Sequence, residues 1–348
     1  MCTGGPVASP AEVAAMRRAL TLAATPGVPR GPNPRVGCVL VDADGTTVAE
    51  GYHRGSGSAH AEVDALAQAG PAARGTTAVV SLEPCNHSGR TGPCTEALLR
   101  AGVARVVFGQ PDTNPVAAGG EARLRAAGVA VEGGLLAEEA RTLNPWWTFA
   151  VEHQRPFVTW KVAASLDGRV AAADRSSRWI TSEAARAQVH ALRTEVDAVV
   201  VGTGTVLADD PSLTARDAAG LATGRQPLRV VVGERDLPAT AHVLDEAAPC
   251  VHLRTHDVSE VLSSLFGRDV QHVLLEGGPT LAGEFLAAGV VDRVVAYVAP
   301  LVLGSGRAMV DLPGAVSLAD SVDLDVESVT RVGPDVCITL TPRAREAS

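Results

Sequence analysis

The 348-residue sequence is poor in aromatic residues and lysine, has no excess of positive charge and contains no long apolar run. Aromatic side chains make up 3% of the chain, so valine, leucine and alanine must fill its cores. Acidic residues outnumber basic ones by 39 to 30, which gives a formal net charge of −9. A nucleic-acid surface needs cationic tracks and stacking aromatic side chains. We therefore expect no nucleic-acid partner.

Two further absences concern membranes and secretion. No stretch approaches 18 consecutive apolar residues, so the sequence predicts no transmembrane helix and no membrane partner. The opening residues, MCTGGPVASPAEVAAM, lack the basic and apolar regions of a signal peptide. We therefore expect a cytoplasmic protein whose six cysteines are reduced thiols.

Lysine is nearly absent, because Lys161 is the one lysine among 30 basic residues. Arginine has replaced lysine wherever the two can be exchanged, so the remaining lysine is a candidate for a position that needs a flexible primary amine. Survival by chance is the competing interpretation, and composition alone does not decide between the two.

The length of the chain favours two domains over one compact core. In the first half, a helix is predicted over residues 11–24 and a strand pair over 36–42 and 46–53, around a turn at Asp44-Gly45. Helices and strands then alternate, which predicts an α/β fold with a sheet covered on both faces. A connecting helix is predicted over 137–150. We place the boundary near 150–155, giving domains 1–150 and 151–348.

The second half contains another α/β pattern. Helices are predicted near residues 182–193 and 280–288, and a surface loop over 216–227. The segments 161–171, 177–182, 202–216 and 275–286 are interpreted as loops that follow strands. Strands are predicted near residues 157–163, 196–202, 228–232, 250–254, 272–276, 293–299 and 336–341.

A metal site is predicted from three residues at the ends of secondary structure elements. His60 opens a helix, Cys85 follows a strand, and Cys94 opens another helix. One imidazole and two thiolates leave a fourth zinc position open for water, as in catalytic zinc sites. Glu62, two residues after the histidine, can move the protons. Zinc nucleobase deaminases carry H-x-E and P-C-x-x-C, whereas eight residues separate the two cysteines here.

The motifs HAEV, LEPCNHSGRTGPC, NPRVGCVLVD and GYH together resemble the N-terminal half of the bifunctional riboflavin-biosynthesis deaminase/reductase family. That family has this longer spacing between the cysteines. The resemblance implies a cytidine-deaminase-like αβα domain with one zinc ion per chain and Glu62 as the catalytic residue. Asn114, in the motif QPDTNP, matches another family motif near the same pocket. The resemblance also implies four substrate-binding residues: Asn33, His53, His87 and Arg90.

The second half resembles the reductase half of the same family, through KVAASLDGRVA, SRWITS, LEGGPTLAGEFL and VAPLVLGSG. This resemblance implies a dihydrofolate-reductase-like α/β domain, and the glycine-rich turns do not form a Rossmann fingerprint. The implied cofactor-binding residues are Ala163, Trp179, Thr205, Asp209, Gly278, Pro279, Thr280, Leu281, Ala282, Gly283 and Glu284. The implied substrate-binding residues are Lys161, Ser177, Arg193, Leu213, Arg216 and Glu276.

The choice of nicotinamide cofactor depends on the residues after the strand at 228–232. The family usually carries Asp-Ser there, with the serine near the 2′-phosphate of NADPH, whereas this chain has Gly233-Glu234-Arg235. A carboxylate repels a 2′-phosphate unless Arg235 neutralises it. We predict NADPH, with NADH as the alternative.

These resemblances predict a bifunctional enzyme of riboflavin biosynthesis. Its first step is zinc-dependent hydrolytic deamination of 2,5-diamino-6-ribosylamino-4(3H)-pyrimidinone 5′-phosphate, and its second is NADPH-dependent reduction of the ribosyl group to ribityl. One alternative is a zinc deaminase of another nucleobase or nucleoside with a non-catalytic second domain, and another is a protein with a structural zinc. The resemblance also implies a homo-oligomer, either a dimer or a tetramer.

Overall fold

The computed structural model describes residues 8–29, 31–87, 92–217, 219–312 and 314–343. The chain divides into two compact units, Met1–His153 and Gln154–Ser348, each built around its own sheet. Among the described residues, no helix has the length and apolar character needed to cross a bilayer.

The first unit is a five-stranded sheet with helices, in the strand order β2-β1-β3-β4-β5. Strand β1 pairs antiparallel with both β2 and β3, whereas β3, β4 and β5 are parallel. Its elements are α1 (Pro10–Ala23), β1 (Gly37–Val41), β2 (Thr47–Tyr52), α2 (Ala61–Ala69), β3 (Thr77–Leu82), α3 (Cys94–Ala101), β4 (Arg105–Gln110), α4 (Gly120–Ala126), β5 (Ala130–Gly133), α5 (Ala137–Leu143) and α6 (Pro145–His153).

Local sequence explains how several of these elements begin and pack. Helix α1 starts with a capping box, in which Ser9 and Glu12 satisfy each other's backbone N–H groups. Helix α2 lies very close to β2, because a Cβ atom on Gly51 would be 2.4 Å from the carbonyl oxygen of Ala61. This glycine therefore fixes the distance between the sheet and the helix that begins after His60.

The predicted connecting helix over 137–150 is wrong in one respect. The structure has two helices, α5 and α6, which are separated at Asn144. Pro145 disfavours helical conformation in the residue before it and has no N–H to continue the helix, so a new helix begins there. The strand pair around Asp44-Gly45 is confirmed as β1 and β2.

The second unit contains an eight-stranded sheet in the order β10-β9-β8-β11-β6-β12-β15-β14, together with a two-stranded ribbon of β7 and β13. The strands from β10 to β12 in this order are parallel, and β15 and β14 pair antiparallel at the other edge. Its elements are β6 (Phe157–Ser165), β7 (Arg169–Ala172), α7 (Glu183–Glu195), β8 (Ala198–Gly202), α8 (Thr203–Asp209), β9 (Leu228–Val232), β10 (Cys250–Leu253), α9 (Val258–Phe266), β11 (His272–Leu275), α10 (Pro279–Ala287), β12 (Arg293–Ala299), β13 (Gly306–Ala308), β14 (Leu324–Val332) and β15 (Asp335–Pro342).

Three of the predicted loops are wrong in part. Of the segment 275–286 only residues 276–278 form a loop, because helix α10 begins at Pro279, in agreement with the helix predicted near 280–288. Residues 203–209 form helix α8, which the glycines at its start had concealed, since glycine is a poor helix former. Within 161–171, strand β6 continues to Ser165 and β7 begins at Arg169, so only the residues between them form a turn. The buried faces of the parallel strands consist mainly of valine and leucine, as the scarcity of aromatic residues required.

Candidate functional site

In the first unit, two strand-to-helix junctions bring the predicted metal ligands together. His60 is the residue before α2, Cys85 follows β3, and Cys94 is the first residue of α3. Their ligand atoms all lie within 4.8 Å of one another. His60 Nδ1 is 3.2 Å from Cys94 Sγ and 3.6 Å from Cys85 Sγ. Tetrahedral zinc with bonds of about 2.0 Å to nitrogen and 2.3 Å to sulfur places such ligands roughly 3.5 Å apart, so the three residues fit zinc.

The electrostatics of the cluster also favour a bound cation. Hydrogen bonding to Cys94, together with His60, lowers the pKa of the Cys85 thiol to about 4 in spite of its burial. The same contact with Cys85 raises the pKa of Cys94 far above its ordinary value, and burial adds to the effect. Two thiolates at this distance repel each other unless a cation lies between them, and a metal ion removes that conflict.

Glu62 lies beside the three ligands and is 3% exposed. It is the second residue of α2, so the helix that follows His60 also positions the carboxylate. Burial, followed by the negative charge of Cys85, raises the pKa of Glu62 to about 7. A carboxyl group with a pKa near neutrality can both accept and donate a proton, which is what a general acid–base residue needs.

The predicted substrate residues of this unit lie near the cluster to different extents. His53 is buried and its Nε2 is 3.1 Å from Asn33 Nδ2, and its ring lies 5.4 Å from that of His60. Burial lowers the pKa of His53, which favours the neutral ring. His87 is half-buried, and its Nδ1 has no hydrogen-bond partner among the described residues. Arg90 lies outside the described residues.

Asn114 lies in a turn after β4, where its side-chain oxygen is used in a hydrogen bond within the turn. Its side-chain oxygen accepts a hydrogen bond from Val116 N at 3.1 Å, and its own N–H donates to Asp112 Oδ1 at 2.9 Å. These contacts shape the loop that follows β4.

Sequence analysis missed a buried carboxylate pair next to the metal cluster. Glu83 Oε2 accepts a hydrogen bond from Asp112 N at 3.1 Å, and Glu83 Oε1 accepts one from Glu121 N at 2.9 Å. Burial, and to a smaller extent Glu83 and Cys85, raises the pKa of Asp112 to about 6. The sequence offered only a partial signal, because Glu83 and Asp112 follow strands β3 and β4, and the structure shows that these two strands are parallel neighbours.

In the second unit, a cavity of about 1270 Å³ opens at the carboxyl ends of the parallel strands. Most of the predicted reductase residues line it. These are Lys161, Ala163, Ser177, Trp179, Arg193, Thr205, Asp209, Leu213, Arg216, Glu276, Gly278 and Pro279.

A buried ion cluster lies at the floor of the cavity. Arg193 donates to both carboxylate oxygens of Glu276, at 2.6 and 3.0 Å, and Lys161 Nζ is 3.6 Å from the same carboxylate. Burial would raise the pKa of Glu276, but Arg193 and Lys161 hold it at about 2. Burial lowers the pKa of Lys161, with Glu276 opposing the effect. The Lys161 amine lines the cavity beside the Glu276 carboxylate, which is ionised at neutral pH.

The entrance of the cavity carries an aromatic ring and several hydrogen bonds. Trp179 is 67% exposed, and the guanidinium of Arg186 lies 4.4 Å from the centre of one of its rings. Ser177 Oγ donates to Asp209 Oδ1 at 3.3 Å, and Arg216 Nε donates to Thr214 Oγ1 at 3.2 Å.

Gly277 and Gly278 line the cavity immediately before helix α10, and the N-terminus of that helix is suitable for an anion such as a cofactor pyrophosphate. The five predicted cofactor residues after Pro279 lie within α10 and are not among the described residues that line the cavity. Ala282 and Gly283 are buried in the packing of the helix, whereas Glu284 is exposed. Their role in cofactor binding stays a prediction.

Comparisons with known proteins agree with this division. Residues 10–110 match the family described as the cytidine and deoxycytidylate deaminase zinc-binding region, and residues 156–338 match the RibD C-terminal domain. The chain is 50% identical over 317 residues to the riboflavin biosynthesis protein RibD of Mycobacterium tuberculosis (strain ATCC 25618 / H37Rv), covering 90% of this chain and 92% of the relative. The RibD protein of Escherichia coli (strain K12) is 41% identical, with 93% of this chain and 98% of the relative covered.

Solved structures give the same result. Acinetobacter baumannii RibD superimposes with a TM-score of 0.84 at 38% identity, covering 96% of this chain and 99% of that one. A diaminohydroxyphosphoribosylaminopyrimidine deaminase/5-amino-6-(5-phosphoribosylamino)uracil reductase from Thermotoga maritima gives a TM-score of 0.79 at 33% identity, with the same coverage. The predicted α/β fold, a cytidine-deaminase-like domain followed by a reductase domain, is confirmed.

Proposed function

The chain belongs to the RibD family of bifunctional riboflavin biosynthesis enzymes, and we propose that residues 1–150 carry out its deamination and residues 151–348 its reduction. The matches to a zinc-binding deaminase region and to the RibD C-terminal domain support this assignment. The match over 156–338 argues against the alternative in which the second domain is non-catalytic. The substrate is 2,5-diamino-6-ribosylamino-4(3H)-pyrimidinone 5′-phosphate, and the cofactor of the second step is NADPH.

The observation that carries the deaminase assignment is the convergence of His60, Cys85 and Cys94 beside the buried Glu62. Zinc bound by these ligands supplies a Lewis acid and lowers the pKa of a water molecule toward neutrality. Glu62 accepts a proton from the attacking water at its carboxylate and delivers it to the departing amine, so that ammonia leaves. His53, Asn33 and His87 hold the pyrimidine and its ribose phosphate near this carboxylate, and Arg90 is assigned to the same role.

In the reductase unit, the chain's own groups orient the opened ribose of the deaminated pyrimidine. NADPH supplies the hydride when bound. Lys161 Nζ donates a hydrogen bond to the sugar, and Glu276 keeps both Lys161 and Arg193 in place. Ser177, Leu213 and Arg216 complete the substrate side of the cavity, where Arg216 offers a cation to the substrate phosphate.

The experiment that tests this function is the variant Glu62→Gln, assayed separately for both steps. We expect stoichiometric zinc and an unchanged fold, but a loss of ammonia release of about a hundredfold or more, since general acid–base catalysis contributes at least that much. Reduction of the deaminated pyrimidine by NADPH should continue at the wild-type rate. Ammonia release at the wild-type rate would remove Glu62 from the mechanism.

The finer properties of the enzyme are also proposals. An association with a second copy of the chain through the β14–β15 side of the sheet is supported by Val326 and Val329, which are 60% and 62% exposed. Analytical ultracentrifugation would test this. A cytoplasmic location is supported by the five described cysteines, all of which are free thiols: Cys38, Cys85, Cys94, Cys250 and Cys337.

A further inference from the structure

We propose that Arg235 binds the 2′-phosphate on the adenosine ribose of the cofactor, and so selects NADPH over NADH. This inference rests on the proposed reductase function. NADPH and NADH differ only in that phosphate, so one cation at the adenosine end of the cavity is enough to discriminate between them.

Arg235 lies at the cavity with its charge available. It follows β9 by three residues, is exposed, and lines the cavity. Its Nε donates to Thr203 Oγ1 at 3.3 Å. A Cβ atom on Gly204 would lie 2.8 Å from Arg235 Nη2, so the guanidinium rests directly against this glycine. Within the described ranges no carboxylate forms an ion pair with Arg235, which leaves its terminal nitrogens as donors for a ligand.

The order of strands places Arg235 at one end of the cofactor site. Along the sheet, β6 with Lys161 and Ala163 is followed by β11, then β8, then β9. The turn at Gly278 follows β11 and lies against helix α8, which follows β8 directly, since a Cβ atom on Gly278 would lie 3.5 Å from Thr205 Oγ1. A cofactor whose nicotinamide reaches β6 and whose pyrophosphate lies at the start of α10 extends its adenosine toward β8 and β9. Arg235 is an arginine at that end that lines the cavity.

The neighbouring carboxylates do not cancel this charge. Glu234 is not among the described residues that line the cavity, and its backbone oxygen accepts a hydrogen bond from Arg254 Nη1 at 2.9 Å. Asp236 is paired with Arg254 at 2.5 Å. Arg254 therefore holds the chain on either side of Arg235, while the Arg235 guanidinium faces the cavity. A planar guanidinium matches the oxygens of a phosphate through paired hydrogen bonds, which lysine cannot reproduce.

Equilibrium binding of cofactor fragments to the full-length enzyme tests the proposal without turnover. Adenosine 2′,5′-bisphosphate and 5′-AMP would be titrated by calorimetry into wild-type protein and into Arg235→Ala. We expect the variant to lose about ten- to a hundredfold in affinity for the bisphosphate, the range of a hydrogen-bonded charge, and to keep its affinity for 5′-AMP. Arg235→Lys should lie between the two proteins.

The matched control is Arg268→Ala, which removes the same charge from an exposed position between α9 and β11. This position precedes β11, so it lies at the end of the strand opposite to the cavity. It should leave both affinities unchanged. An equal loss of affinity for the bisphosphate and for 5′-AMP in Arg235→Ala would show that Arg235 binds a phosphate common to both ligands, and would overturn the proposal. The proposal would also be overturned if Arg235→Ala preferred the bisphosphate over 5′-AMP as strongly as the wild type does. If instead wild-type enzyme oxidises neither NADPH nor NADH with the deaminated pyrimidine, the proposed reductase function fails rather than the assignment of Arg235.

Discussion

In the first unit three ligand atoms lie within 4.8 Å of one another, supplied by two junctions between strands and helices. In the second unit the site is a cavity of about 1270 Å³, whose lining residues come from positions between 161 and 309. The first site depends on three metal ligands and one carboxylate, whereas the second depends on several charged side chains at the ends of different strands. Single substitutions should therefore abolish activity at the first site and only weaken binding or stability at the second.

The largest expected effect is the loss of a metal ligand. Cys94→Ser should release the zinc and lower ammonia release by about a thousandfold or more, because a metal ion contributes several kcal/mol to such a reaction and 1.4 kcal/mol is a factor of ten. Elemental analysis and an ammonia assay would measure this. Cys250→Ser, in the second unit, is the control. If Cys94→Ser also stopped NADPH oxidation with the deaminated pyrimidine, the independence of the two sites would be contradicted.

The second unit should instead lose stability when its ion cluster is opened. Glu276→Gln leaves Arg193 and Lys161 without their common carboxylate, and breaking a buried ion pair costs about 3 kcal/mol or more. We expect a lower midpoint of unfolding for this unit and a higher KM for the pyrimidine, while ammonia release stays normal. Glu195→Gln, at the exposed end of α7, should change neither property. An unchanged midpoint would contradict this account of the cluster.

The two units should also respond differently to pH. The pKa of Asp112 is raised to about 6 from an ordinary 3.8, so between these values the folded unit holds a proton that the unfolded chain has released. Its contribution to stability therefore falls as the pH rises through this window, by about 3 kcal/mol at most. The pKa of Glu276 is lowered to about 2, so its contribution is complete above the ordinary value of 4.5 and is lost only as the pH falls toward 2.

Urea unfolding of wild-type protein and Asp112→Asn at several pH values between 4 and 7 would measure the difference. The stability of the wild-type first unit relative to the variant should fall over this range, whereas the second unit should unfold at the same urea concentration in both proteins. If the free energy of unfolding of the first unit changed with pH in the same way in wild type and in Asp112→Asn, the raised pKa of Asp112 would be contradicted.

The smallest expected effect concerns the contact between Arg186 and Trp179. A cation over an exposed aromatic ring contributes about 0.5–1 kcal/mol, so Arg186→Gln should weaken NADPH binding by about two- to fivefold. Fluorescence titration with NADPH would detect the change. A loss above a hundredfold would mean that Arg186 contacts the cofactor directly.

The difference between the units also explains what could be predicted from the sequence. His60, Glu62, Cys85 and Cys94 lie in short motifs whose residue types have one strong chemical interpretation, and the structure brings them together. Apart from Lys161, which the composition singled out, the reductase residues were accessible only through family resemblance, because their spacing carries no chemical signature before the strands are ordered.

Other features were missed for physical reasons. Strand β14 is exposed along almost its whole length, so it has no buried face to produce a clear apolar pattern. Glu83 and Asp112 are 29 residues apart, and their contact depends on the pairing of two parallel strands. Helix α8 is held by its tertiary position rather than by the intrinsic preference of its first residues.

The composition of the chain gives Lys161 a practical value. Because the sequence contains one lysine, the only side-chain amine in the protein projects into the reductase cavity. Its lowered pKa increases the fraction of neutral, nucleophilic amine. Reagents that acylate amines can therefore report occupancy of that cavity through a single labelled side chain, and a ligand bound there should protect it.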